Sequence, residues 1–105
     1  MERTIKPDTL KNELDNKFVL DVRRTSDLAA SNEQLPGANW HDPENLDDWA
    51  DGLPREQDIV LYCVRGGSVS NAVVDALHSR GLEARFIEGG IEGWKAAGGA
   101  TEPRP

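Results

Sequence analysis

Apolar positions in this chain fall into short runs separated by polar and glycine-rich stretches. "FVLDV" (Phe18 to Val22) and "IVLYC" (Ile59 to Cys63) are nearly continuous and of strand length, the pattern of strands covered on both faces. "ARFIE" (Ala84 to Glu88) predicts a third strand. Between the last two, Val69, Ala72, Val73, Ala76 and Leu77 recur at i, i+3, i+4, i+7 and i+8, which predicts a helix with one apolar stripe. Ser68 or Ser70 could cap its start, and Gly81 stands where a left-handed residue ends a helix. Weaker helical patterns follow Asp8, a candidate cap with Leu10 and Leu14 on one face, and run through "TSDLAAS", through "PENLDDWAD" with Leu46 and Trp49 inward, and through "IEGWKAAG". "LPGANW" (Leu35 to Trp40) reads as a turn leading into extended chain, and Thr101 to Pro105 is expected to fray.

Strands alternating with helices predict an α/β fold with a mainly parallel central sheet, and 105 residues fit one domain, residues 1–105. At 37% hydrophobic and 30% charged, the composition is that of a globular protein. No apolar run reaches the roughly 20 residues that cross a bilayer, and the polar start lacks the order of a signal peptide. A single cysteine allows no internal disulfide, and together these features predict a cytoplasmic protein, with a monomer as the default state. The net charge of −7, without a basic run, argues against nucleic acid and against an anionic membrane surface. Any anion site must therefore generate its positive potential locally.

Such a site is expected around Cys63. Ligands of parallel sheets bind beyond the carboxyl ends of the strands, and Cys63 ends the strongest one. The loop after it leads into a helix N-terminus, where unpaired N–H groups gather at the positive end of the helix dipole. Gly66 and Gly67 let the backbone curl, and Arg65 adds a full charge. A sulfur in that cradle would be held as thiolate, with its pKa below the ordinary value of about 8.5. The residues alone leave two readings open, an inert packed thiol and a nucleophile beside an anion site.

Three segments in order resemble the rhodanese-like sulfurtransferases. "VLDVRRTSDLAASNEQLPGANW" is similar to that family's first motif, "IVLYCVRGGSVSNAVVDALHSRGL" to its active-site strand, loop and helix, and "ARFIEGGIEGW" to its closing Gly-Gly-hydrophobic-x-x-Trp motif. The resemblance implies helices on both faces of the sheet and Cys63 as a nucleophile that accepts sulfur from thiosulfate or a related small anionic donor. The resulting persulfide would pass its sulfur to cyanide or to a thiol acceptor such as glutathione or a thioredoxin-like protein. It implies that the N–H groups from Val64 through Arg65, Gly66, Gly67 and Ser68 to Val69 bind the substrate, and that Asp21 and Arg23 lie near the site. No metal or organic cofactor is implied.

The chain departs from the pattern at two places. Gln34 stands where the family often has histidine, and Ser70 and Gly81 come one residue later than the usual serine and helix-ending glycine. A lengthened loop is a feature of related phosphatases and arsenate reductases, but these need an arginine six residues after the cysteine, where this chain has Val69. That chemistry is the second reading, and a non-catalytic redox-sensing or binding module the third. Asp21 and Arg23 also read as a bracing ion pair, and Trp40, Trp49 and Trp94 as packing, with Trp94 a candidate for a pocket edge. His41 is a candidate acid-base group, His78 a surface residue, and Gly89-Gly90 a tight turn. No metal-ligand spacing occurs.

Overall fold

The computed structural model describes residues 2–104. Five strands form one parallel sheet in the order β1-β6-β5-β2-β4: β1 (Thr4–Ile5), β2 (Lys17–Asp21), β4 (Asn39–Trp40), β5 (Asp58–Tyr62) and β6 (Ala84–Ile87). The two continuous apolar runs are the neighbouring strands β2 and β5, paired from Lys17 opposite Asp58 to Asp21 opposite Tyr62. Their side chains alternate between two cores. Leu20, Ile59 and Leu61 pack on one face against Val73, Val74 and Leu77 of α4 (Ser68–Ser79), with Leu46 and Trp49 of α3 (Leu46–Trp49) at its margin. Val19, Val60 and Tyr62 pack on the other against Leu10 of α1 (Pro7–Lys11) and Ile91 and Trp94 of α5 (Gly90–Ala96). The remaining helix, α2 (Thr25–Ala29), follows β2. The expected α/β fold with helices on both faces is what the structure shows.

From β2 the chain moves outward to β4, and from β5 it moves outward the other way to β6. The direction of winding therefore switches between β2 and β5, and the crevice for a ligand opens at their carboxyl ends. Cys63 is the first residue past β5 there.

Several local expectations need correction. Asp8 does not cap α1: Lys6 is the capping position and Pro7 occupies the first turn, where its fixed φ and missing N–H suit a helix start. The stripe of α4 is rotated from the expected one. Ser70, Val73, Val74 and Leu77 are buried, Val69 and Ala76 are half-buried, and Ala72 is exposed. The capping position of α4 is Gly67, not a serine. Nor does the tail fray over its described part. Glu102–Pro103 forms β7, antiparallel to β3 (Glu33–Gln34). Trp94 Nε1 donates to the Ala100 carbonyl at 2.8 Å and Arg104 Nε to the Ser31 carbonyl at 2.9 Å, which ties the segment down. Pro105, part of the same expectation, lies outside the described residues.

Candidate functional site

The loop Cys63–Gly67 bends from β5 into α4, and its conformation is set by a neighbour distant in sequence. Gly89 and Gly90, after β6, both have positive φ, 78° and 62°. They bring the start of α5 against the loop so that Ile91 N–H donates to the Cys63 carbonyl at 3.0 Å and Glu92 N–H to the Val64 carbonyl at 3.1 Å. With those carbonyls held by α5, the N–H groups that follow are free to turn toward the sulfur. Gly66 completes the bend at φ 71°, in the left-handed region that favours glycine.

Cys63 is 7% exposed. Burial raises its pKa and is the largest single influence. The Ser70 hydroxyl, donating to Sγ at 3.0 Å, and the N–H groups of Gly67, Arg65 and Gly66 together outweigh it, so the net shift is downward. Gly67 is also the N-terminal capping position of a twelve-residue helix, so the dipole acts in the same direction. The sulfur thus sits in a cradle of four donors that favours the anion.

Three of the six expected loop donors reach the sulfur, those of Arg65, Gly66 and Gly67. Val64, Ser68 and Val69 instead line the open cleft in front of it, which has a volume of about 450 Å³. Arg65 and Arg24 flank this cleft, both exposed, with Asp27 its one lining carboxylate. Among the described residues neither arginine forms an ion pair, so the cleft carries two cations against one carboxylate. This is the local positive potential that a chain of charge −7 requires.

Asp21 and Arg23 lie behind the site, not in it. Arg23 Nη2 meets Asp21 Oδ2 at 2.7 Å, with side chains 2% and 1% exposed. Arg23 also donates to the Glu33 carbonyl at 3.0 Å, and the Tyr62 hydroxyl donates to Asp21 Oδ2 at 3.0 Å. Burial and then the Asp21 charge push the Tyr62 pKa up, so the phenol keeps its proton and donates it to Asp21. Burial would lower the Arg23 pKa, but the hydrogen bond and charge of Asp21 raise it overall. The network fixes Tyr62, the residue before Cys63, and meets the expectation of a bracing ion pair.

His41 stacks on Trp49 with ring centroids 5.0 Å apart, and burial lowers its pKa. Trp94 is core, not pocket edge. His78 is exposed, as expected, with its ring 2.8 Å from the Ala84 carbonyl. Gln34, at the family's histidine position, donates to Glu102 and so serves the β3–β7 contact. Among the described residues no group of three or more His, Cys, Asp or Glu side chains is placed to hold a metal.

Ser70 and Arg24 were not among the sequence candidates. Ser70 carried a signal, since Ser70, Val73, Val74 and Leu77 form an alternative helical stripe with a serine in it. A buried serine on the helix after a cysteine is placed to meet the sulfur. Ser70→Ala removes one donor to a charged acceptor, which is expected to raise the Cys63 pKa. The pH profile of iodoacetamide alkylation checks this: its midpoint should lie below the ordinary thiol value and move upward in the variant. Because the thiolate is the reactive form, the variant loses most rate on the acid side.

A sequence model described as "Rhodanese-like domain" matches residues 6–97. This chain belongs to the rhodanese-like family. Solved structures agree with that placement. It is similar to a rhodanese-related protein from Thermoplasma volcanium, with 26% identity over 96% of this chain and 98% of that one and a TM-score of 0.85. A rhodanese-like domain from Anabaena shares 32% identity over 97% of this chain and 80% of that one, with a TM-score of 0.80. A thiosulfate sulfurtransferase from Pseudomonas aeruginosa shares 28% identity over 97% of this chain but 19% of its own, with a TM-score of 0.79. The search of curated proteins returned no match.

Proposed function

We propose that this rhodanese-like chain is a sulfurtransferase in which Cys63 carries the transferred sulfur. The observation that carries the reading is the four-donor cradle around Sγ, opening on a cleft flanked by Arg24 and Arg65. Thiosulfate fits that cleft as a donor. The Cys63 thiolate attacks its outer sulfur, a sulfur–sulfur bond forms, the bond to the sulfonyl sulfur breaks, and sulfite leaves with the electron pair. The cradle stabilises the thiolate before the step and the persulfide anion after it. In the second half-reaction an acceptor takes the outer sulfur, and Cys63 departs as thiolate.

The acceptor is external, because the chain has no second cysteine to resolve the persulfide. A small thiol such as glutathione, or a thioredoxin-like protein, has the required chemistry. The phosphatase or arsenate reductase reading gains no support, since Val69 lines the cleft where that chemistry needs an arginine.

The test is thiocyanate formation from thiosulfate and cyanide. The native chain should form thiocyanate with ping-pong kinetics, and Cys63→Ser should form none above background. Equal rates in the two would remove Cys63 from the mechanism.

A further inference from the structure

Arg24 and Asp27, which flank the cleft, belong to a segment with little anchor of its own. Arg24 is the capping position of α2, and no residue of this five-residue helix is buried. Leu28 alone is half-covered. A helix that short is not stable by itself, and without a buried face it is not pinned to the core. Its place is therefore set at its two ends. At the near end, Arg23 is paired with Asp21, and the Trp40 indole donates to the Arg23 carbonyl at 2.9 Å. At the far end, Ser31 to Gln34 are held by the C-terminal segment.

That segment is seated on α5, where Gly99 N–H donates to the Trp94 carbonyl at 2.9 Å and Trp94 Nε1 to the Ala100 carbonyl. It then runs as β7 along β3. Gln34, 8% exposed, donates to Glu102 Oε2 at 2.9 Å. Arg104 gives its backbone N–H to the Asn32 carbonyl at 3.0 Å and its Nε to the Ser31 carbonyl. Lys95 adds only a partly exposed ion pair to Glu33. The chain beyond residue 97 lies outside the part matched to the family. We propose that Glu102 and Arg104 are positioning residues for the cleft: they hold Ser31 to Gln34, and so fix the α2 segment that carries Arg24 beside Cys63. The donor cradle does not depend on them, since the cysteine loop, α4 and α5 build it. The inference goes beyond the sulfur-transfer reading, because it concerns the charge beside Cys63 and not the reaction.

The test reads that charge by alkylation. Cys63 is the one cysteine, so iodoacetate and iodoacetamide report on it alone, and the ratio of their rates reports the local potential. All chains carry Asp27→Asn, so that within α2 only Arg24 is read. Arg24→Gln should lower the iodoacetate-to-iodoacetamide ratio about threefold at low ionic strength. Glu102→Ala with Arg104→Pro leaves the net charge unchanged and removes the acceptor for Gln34 and both donors of Arg104. It should lower the ratio at least about twofold, and should leave it unmoved when Arg24→Gln is also present. Glu102→Gln with Arg104→Gln is the conservative pair. It keeps an acceptor for Gln34, the N–H for Asn32 and a side-chain donor at the place of Arg104 Nε, and it should keep the native ratio. Should the disrupting pair fail to fold, Glu102→Ala alone decides by sign. Loss of a carboxylate raises the ratio through space, whereas release of the segment lowers it. A ratio that stays or rises, or that falls equally without Arg24, would overturn the inference.

Discussion

Gly90→Ala is expected to lower stability by about 3 kcal/mol and to slow sulfur loading of Cys63 at neutral pH by at least about tenfold. Gly90 has a φ of 62°, which costs a residue with a side chain about 1–2 kcal/mol. A β-carbon there would also lie 2.5 Å from the Cys63 and Val64 carbonyl oxygens, and backbone cannot swing aside as a flexible side chain can. The start of α5 must therefore retreat, and the Ile91 and Glu92 N–H bonds to those carbonyls are lost. Without them the loop peptides lose their orientation, and the sulfur loses donors. Gly37→Ala is the control, because its φ of 73° imposes similar backbone strain with nothing within 4 Å of the added carbon. Urea unfolding should show it losing only about 1–2 kcal/mol. Gly90→Ala proving no worse than Gly37→Ala, in stability and in loading rate, would mean that the contact between α5 and the loop does not shape the site.

The second large effect is expected at Asp21. Asp21→Ala leaves the Arg23 guanidinium, 2% exposed, with its charge uncompensated, and leaves the Tyr62 hydroxyl without its acceptor. Breaking a buried pair from one side costs about 3–5 kcal/mol. That is a large part of the stability of any small domain and should lower Tm by roughly 15–30 °C. The cost lies in the stranded charge more than in the lost attraction. Asp21→Ala combined with Arg23→Met should therefore be more stable than Asp21→Ala alone, as measured by urea unfolding. A double variant less stable than the single one would show that the pair itself contributes the stability.

These two positions also mark what the sequence made legible. Asp21 and Arg23 stand two apart at the end of a continuous apolar run, so their pairing near a strand end could be read directly. Cys63 was placed for the same reason, since five apolar residues followed by glycines mark a buried strand entering a loop. Gly89-Gly90 could be read as a tight turn, but not as the clamp on the cysteine loop, because that contact joins segments 26 residues apart and leaves no periodic trace. β3 and β7 were illegible for a similar reason, being two residues each and paired across 68 positions. The buried face of α4 departs from the hydrophobic pattern because hydrophobicity alone favours Val69 and Ala72, whereas the fold buries Ser70, whose hydroxyl finds its partner in the sulfur. Arg24 gave no local signal, because its place at the cleft depends on where β2 ends relative to α4.

The central claim, that Cys63 carries sulfur as a persulfide, is tested most directly by intact mass after incubation with thiosulfate. The native chain should gain one sulfur, about 32 Da, lose it on addition of cyanide, and show no gain as Cys63→Ser. A native chain that stays at its starting mass, or gains only oxygen, about 16 Da per step, would contradict sulfur transfer and leave a thiol that oxidises.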